Sequence, residues 1–404
     1  MTPRTRHPAR RGLVTRLFSM LLGTVLAAGV IVSMQLPLMN QPASAVVTLR
    51  SVGTAASASL VWPSGGSAAL YMPSLGVTRS WHDAVVPIAS LTKMMTAYVT
   101  LQKLPLALGE SGPCVTVSAS DVSAYAYIRA TDQSNVAVTL GERLCEIDLL
   151  NGLLVHSADN YAAMLANMVA GTMPGFVALM NQTARALGLN STHYADAAGY
   201  DDASVSTALD QAHLAAVLMQ SPLVRAIVGQ PSVTLPVAGT VGSYTPFVGT
   251  DNVIGVKSGR TSAAGGCDVM AMTFAQGSSS EVLYSVVLGQ RGGDLLGPAG
   301  DAALALARSA LGLEHHVVLP QGAPVATVGW GAHVVRVGPE RTQHLWWWSR
   351  TGALALTVHL FRITHAVHRG EVVGWLVVRG ITTGRVALTA SASLTAPTLW
   401  QRLR

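Results

Sequence analysis

The chain has little cysteine, little charge and almost no lysine, and each scarcity excludes something. Its three cysteines, Cys114, Cys145 and Cys267, are spaced unlike any zinc motif, so a cysteine-built metal centre is excluded. Only 11% of residues are charged while 50% are hydrophobic, and Gly and Pro stand at ordinary levels. Neither disorder nor a collagen-like repeat fits that balance. The net charge of +6 is not spread evenly: residues 1–16 carry +5, residues 17–312 carry −5, and residues 313–404 carry +6. A uniformly basic nucleic-acid binder is thereby excluded. Beyond residue 38 no second membrane-spanning helix is expected, and internal repeats are absent. What is present, 404 residues, suits two domains or one large domain with an appendage.

Five arginines (Arg4, Arg6, Arg10, Arg11, Arg16) precede an uncharged apolar stretch from Leu17 to Leu38. This is an export signal or an N-terminal membrane anchor, residues 1–45. The run is long enough to span a bilayer, yet Pro37, Pro42 and Ala43-Ser44-Ala45 resemble a signal-peptidase site. Cleaved or retained, it places the rest of the chain outside the cytoplasm, at the cell wall or the outer membrane face. In that compartment Cys114 and Cys145 can pair around a surface excursion; three buried thiols are the alternative.

Residues 46–312 read as one α+β domain. Residues 46–80 lead into a sheet, and 90–104 is predicted helical from its apolar spacing. Short strands and turns are expected over 113–140. Helices are expected at 147–170, 175–187 and 207–219, then a meander of antiparallel strands over 252–290, closed by a helix at 300–311. At residue 313 the composition shifts: the tail, 313–404, holds six of the eight Trp and seven of the twelve His, with no Lys and no Asp. Runs such as APVATV, LALTVHLF and VVGWLVV predict a small C-terminal β domain. Trp346-Trp347-Trp348 cannot all face one side of a strand, so at least one is exposed or interfacial, alongside a domain-core reading for the rest.

Lysine is the most informative residue type, because 23 of the 26 basic residues are Arg and the lysines are Lys93, Lys103 and Lys257 alone. Arg stays protonated, whereas burial or a neighbouring cation can turn Lys into a base near neutral pH. Ser90-Leu91-Thr92-Lys93 sets a hydroxyl and an amine three apart at a helix start, where backbone N–H groups can also meet an oxyanion. Read structurally, Ser90 is an N-cap and Lys93 a surface charge. Lys257-Ser258-Gly259-Arg260-Thr261 ends a β-like run, where a hydroxyl, an ammonium and a side-chain-free glycine let an extended peptide lie alongside. Ser157-Ala158-Asp159-Asn160 falls between them in a helical region. His156, His193 and His213 lack metal-ligand spacing and read as structural or surface residues.

Three such elements in this order resemble the serine D-alanyl-D-alanine carboxypeptidases, the low-molecular-mass penicillin-binding proteins. The resemblance runs from about residue 60 to 311, through PIASLTKMMTAYV, GERLCEIDLLNGLLVHSADNYAAMLA, FVALMNQTARALGLNSTHYADAAGYD, STALDQAHLA and GVKSGRTSAAGGC. HRGEVVGWLVV is loosely similar to the β-rich C-terminal domain of many members. The resemblance implies a β-lactamase-like fold: an antiparallel sheet flanked by helices, with an α-rich subdomain. It makes Ser90 the acylated nucleophile, Lys93 its base and Ser157 a proton relay. Lys257 and Ser258 would hold the substrate carboxylate with Gly259, Thr261 and Arg291 nearby, and the N–H groups of Ser90 and Arg260 would form the oxyanion hole. Peptidoglycan stem peptides would be the substrates and β-lactams acylating inhibitors, with no metal or organic cofactor.

Two residues depart from the family pattern. Asp159 stands where the family has Asn, and a carboxylate cannot donate a hydrogen bond to a substrate carbonyl; it can pair with Lys93 instead and oppose base catalysis. Asn160 points elsewhere on a helix. Ser258 replaces the commoner Thr and keeps the hydroxyl. The alternatives are a DD-endopeptidase or transpeptidase, a class A β-lactamase, for which no Glu-x-x-Leu-Asn segment lies between Ser157 and Lys257, and a non-catalytic wall-binding protein. On that last reading the cationic, Trp-rich tail is the working surface, against a membrane or an anionic wall polymer.

Overall fold

The computed structural model describes residues 46–47, 59–276, 279–330, 333–348, 355–361, 363, 365–379 and 384–396. The expected export segment, residues 1–45, therefore lies outside the described residues. Among the described residues no single helix is long and apolar enough to cross a membrane.

The chain divides into two compact units. The larger takes in Gly53–His315 and Trp346–Thr351. Its centre is a five-stranded antiparallel sheet of β1 (Ser67–Met72), β2 (Val77–Trp81), β3 (Val253–Thr261), β4 (Gly265–Gln276) and β5 (Ser279–Gln290), in the order β3-β4-β5-β1-β2. The expected meander over 252–290 is this β3-β4-β5 run, with Gly259 opposite Cys267 and Val269 opposite Val286. These strands are apolar on both faces because both are covered. Tyr284 and Ser285, adjacent on β5, point opposite ways: Ser285 donates to the Ala303 carbonyl of the helix Leu296–Leu311, while Tyr284 stacks on Tyr71, which meets His213 of the helix Ala208–Leu218.

The α-rich part holds α1 (Thr92–Lys103), α2 (Ala119–Ala130), α3 (Glu146–Leu154), α4 (Asp159–Ala170) and α5 (Met173–Ala186). Sequence periodicity joins α3 and α4 into one helix over 147–170; the chain instead turns at Val155–Ala158, closed by Ala158 N–H donating to the Gly152 carbonyl. Gly152 permits it, because a Cβ there would lie 2.4 Å from the Tyr161 ring as α4 crosses α3. The expectation of only strands and turns over 113–140 also fails, since α2 occupies 119–130. Its start was legible: Ser118 and Asp121 form a capping box, a side chain on each accepting the other's backbone N–H. Cys114 and Cys145 are disulfide-bonded and face each other on a two-stranded pairing, while Cys267 is a buried free thiol, its ionisation pushed up to about 12 by burial.

The smaller unit includes a six-stranded antiparallel sheet in the order Val46–Val47, Ala355–Leu360, Val372–Arg379, Gly384–Ala390, His333–Pro339, Ala326–Trp330. Val337, Leu356, Val358, Leu376 and Leu388 are buried in it. Of the Trp triplet, Trp348 is fully buried within the larger unit, its indole N–H donating to the Ala310 carbonyl and the Arg79 guanidinium lying 5.5 Å from its ring. It is a core residue of that unit; the side chains of Trp346 and Trp347 lie outside those described.

Candidate active site

Ser90 is not the first residue of α1. It sits in a 3-10 turn, Ala89–Leu91, entered through Ala89 at φ +48°, and makes no capping bond; α1 begins at Thr92. The N-cap reading of Ser90 thus fails, and so does the surface reading of Lys93, which is fully buried one turn on. Its Nζ lies 2.8 Å from Ser90 Oγ, 2.9 Å from the Ala198 carbonyl oxygen and 2.6 Å from Asp159 Oδ1. Lys103, the lysine without a motif, is exposed in the last turn of α1, where its charge suits the helix dipole.

Ser157 occupies the turn between α3 and α4, held at φ +59°, a left-handed conformation that costs a non-glycine residue energy and is found where the fold over-determines it. Asp159 opens α4 and is almost wholly buried. Burial pushes its carboxyl up, and the Lys93 ammonium opposes that shift. Asn160, as expected, turns away from Lys93 and instead ties down a neighbouring segment: its amide donates to the Val136 carbonyl at 2.8 Å and accepts from the Val136 N–H at 3.1 Å. Together with Asp159 N–H on the Ser134 carbonyl, this fixes the segment 133–136 beside the serines.

On β3, Lys257 is fully buried, and burial first, then the Lys93 charge, push it well below the ordinary lysine range. Its ammonium donates to the Ser258 carbonyl at 2.8 Å, and the Ser258 hydroxyl donates to the Tyr244 carbonyl at 2.8 Å. Asp268, opposite Ser258 on β4, is also fully buried, and burial holds its carboxyl well above the ordinary range. Gly259 serves a closer contact than a peptide alongside: a Cβ there would stand 2.6 Å from the backbone nitrogen of Ser90. Only a glycine lets β3 lie against the backbone of Ser90.

These elements open onto one groove of about 310 Å³, lined by Ser90, Ser157, Ser258, Gly259 and Arg260, and by Asp132, Gln133, Ser134, Asn135, His156, Tyr244 and Leu296. Thr261 and Arg291 are not among its lining residues. The Thr261 hydroxyl lies 3.3 Å from Asp202, and the Arg291 guanidinium donates to the Ser262 and Ala263 carbonyls at 2.8 and 2.9 Å. Both tie down the turn after β3.

Three contributors were missed by sequence reasoning. Tyr244 stacks on His156 at 4.5 Å, and His156 Nδ1 lies 2.8 Å from the Gly242 carbonyl oxygen, so a histidine read as structural also forms groove wall. The segment Asp132–Asn135 carries no motif. Asp196 is the third: its carboxylate accepts the N–H groups of Ala198, Gly199, Tyr200 and Asp201, shaping the loop whose Ala198 carbonyl holds Lys93. Among the described residues no group of His, Cys, Asp and Glu is arranged to hold a metal ion.

Known proteins share parts of this sequence and its fold. The chain is 34% identical over 204 residues to a D-alanyl-D-alanine endopeptidase of Pseudomonas aeruginosa, covering 48% of this chain and 61% of that protein. It is 31% identical over 205 residues to the D-alanyl-D-alanine carboxypeptidase DacA of Haemophilus influenzae, covering 50% of each. It thus spans between half and about three fifths of the length of these curated relatives. Penicillin-binding protein 5 of Haemophilus influenzae superposes with a TM-score of 0.58 at 22% identity, over 83% of this chain and 98% of that one. The Streptomyces K15 DD-transpeptidase does so at 0.53 and 22%, over 63% and 98%; at such identities the likeness speaks for the fold alone. The family profile for D-alanyl-D-alanine carboxypeptidase matches residues 77–292, more than half of the sequence, and by that match the chain belongs to this family.

Proposed function

We propose that the chain is an exported acyl-serine peptidase that removes the terminal D-alanine from peptidoglycan stem peptides. The observation that carries this reading is the 2.8 Å contact between Lys93 Nζ and Ser90 Oγ at the floor of a groove bordered by β3. Ser90 Oγ attacks the penultimate carbonyl, giving its proton to Lys93, and the oxyanion falls between the N–H groups of Ser90 and Arg260. Ser157 passes a proton to the departing D-alanine, and water then hydrolyses the acyl-enzyme. The substrate's terminal carboxylate lies near Lys257 and Ser258, and its charge favours the ammonium form of a lysine that burial disfavours. The Ser258 hydroxyl hydrogen is engaged by Tyr244, so Ser258 positions the strand edge in the resting site. Arg291 orders the turn after β3 and acts on substrate only through it.

Export is supported by the arginine-led apolar N-terminus and by the Cys114–Cys145 disulfide, which belongs in an oxidising compartment. The tail's +6 charge supports contact with an anionic membrane surface or wall polymer. A second reading, cleavage of D-alanyl crosslinks, is favoured by the relatives at 34% and 32% identity that are named endopeptidases. Release of D-alanine from a pentapeptide, compared with hydrolysis of a crosslinked dimer, separates the two. Loss of both in Ser90→Ala is expected, and activity undiminished in that variant would refute the site.

A further inference from the structure

Lys93 stands among three acceptors: Ser90 Oγ, the Ala198 carbonyl and Asp159 Oδ1. Lys93 donates to the first two and forms a close ion pair with the third, so this surrounding favours the charged form, an ammonium with three N–H donors and no lone pair. In that form the bond to Ser90 runs from lysine to serine, the wrong direction for a base. Before Lys93 can take the Ser90 proton it must lose one of its own, and a carboxylate 2.6 Å away opposes that loss. A neutral amide at position 159 would not.

We propose, resting on the acyl-serine reading, that Asp159 is an electrostatic clamp: it holds Lys93 as a hydrogen-donating ammonium and so sets the pH at which Ser90 becomes acylable. The clamp is built in. Asp159 is fixed at the start of α4 by its N–H on the Ser134 carbonyl, and the Asp196 loop closes the third side of Lys93. The charged groups bearing on Asp159 are Lys93 from α1, Lys257 from β3 and Asp196 from that loop, and Tyr127 of α2 lines the same small cavity. A charged Lys257 works against the clamp, because a like charge disfavours the ammonium form of Lys93, and the Asp159 carboxylate at 2.6 Å is what offsets it. Acylation therefore favours alkaline conditions more than in a chain with Asn at this place.

The test is the pH dependence of acylation by a fluorescent penicillin in wild type, Asp159→Asn and Asp159→Ala, with Ser90→Ala as blank and thermal melts to establish folding. In both Asp159 variants the rising limb of the rate should move to lower pH by about one to three pH units, the range of a close opposite charge. On the limb, each pH unit is about tenfold in rate. Asp159→Asn, whose amide can also donate to substrate, should hold the higher plateau of the two, but limb position reports the clamp alone. A limb unmoved in both folded, acylable variants overturns the proposal. No acylation of wild type or either variant at any pH overturns the acyl-serine reading itself, and the clamp with it.

Discussion

At the scale of single residues, the site depends on contacts that leave no room for adjustment. Gly259 is the sharpest case: its missing Cβ is what lets β3 reach the Ser90 backbone, and φ there is not in the left-handed region, so the demand is one of space. Gly259→Ala should therefore push β3 or the Ala89–Leu91 turn outward, lowering penicillin acylation by about 10²-fold or more, as misplacements near 1 Å do. Stopped-flow acylation together with a melt checks this; a folded variant with an undiminished rate would show that the strand can give way. The lysine count and the Ser-x-x-Lys spacing made Ser90, Lys93 and Lys257 legible in the sequence as candidates, because lysine is scarce in this chain and two of its three lysines fall in motifs. Tyr244, His156 and Asp196 were not legible, because they act through backbone carbonyls and N–H groups that many side chains can serve.

Among elements, the helices around the site are placed by turns more than by periodicity. The break between α3 and α4 hides inside an unbroken apolar pattern, since both helices are buried and Gly152 alone marks their crossing. The disulfide closes the other end of α3, and Glu146, next to Cys145 in the helix's first turn, has a fully buried carboxyl with no hydrogen-bond partner among the described residues. Burial raises it from 4.5 to about 7. A carboxyl whose folded value lies above its unfolded one contributes stability that is intact below the unfolded value and lost as pH rises through the folded one. Wild type should thus lose up to about 3 kcal/mol as pH rises through this window, at about 1.4 kcal/mol for each pH unit between the two values. Glu146→Gln should flatten that slope. Urea midpoints measured from below pH 4.5 to above pH 7 check it, and equal slopes in the two proteins would mean that the carboxyl finds a partner on ionising.

Over the whole molecule, the sequence pattern read the sheet well, because β3, β4 and β5 are apolar runs bounded by turns and covered on both faces. The shift at residue 313 was legible as a change of composition. The return of Trp348 to the larger unit was not, since a triplet of indoles gives no sign of which one is core. The central claim, that Ser90 forms an acyl-enzyme with Lys93 beside it, is tested most directly by intact mass of the protein with and without benzylpenicillin, run beside Ser90→Ala. The predicted result is one covalent adduct on wild type and none on the variant. Folded wild type without an adduct, or a variant that still carries one, would contradict it.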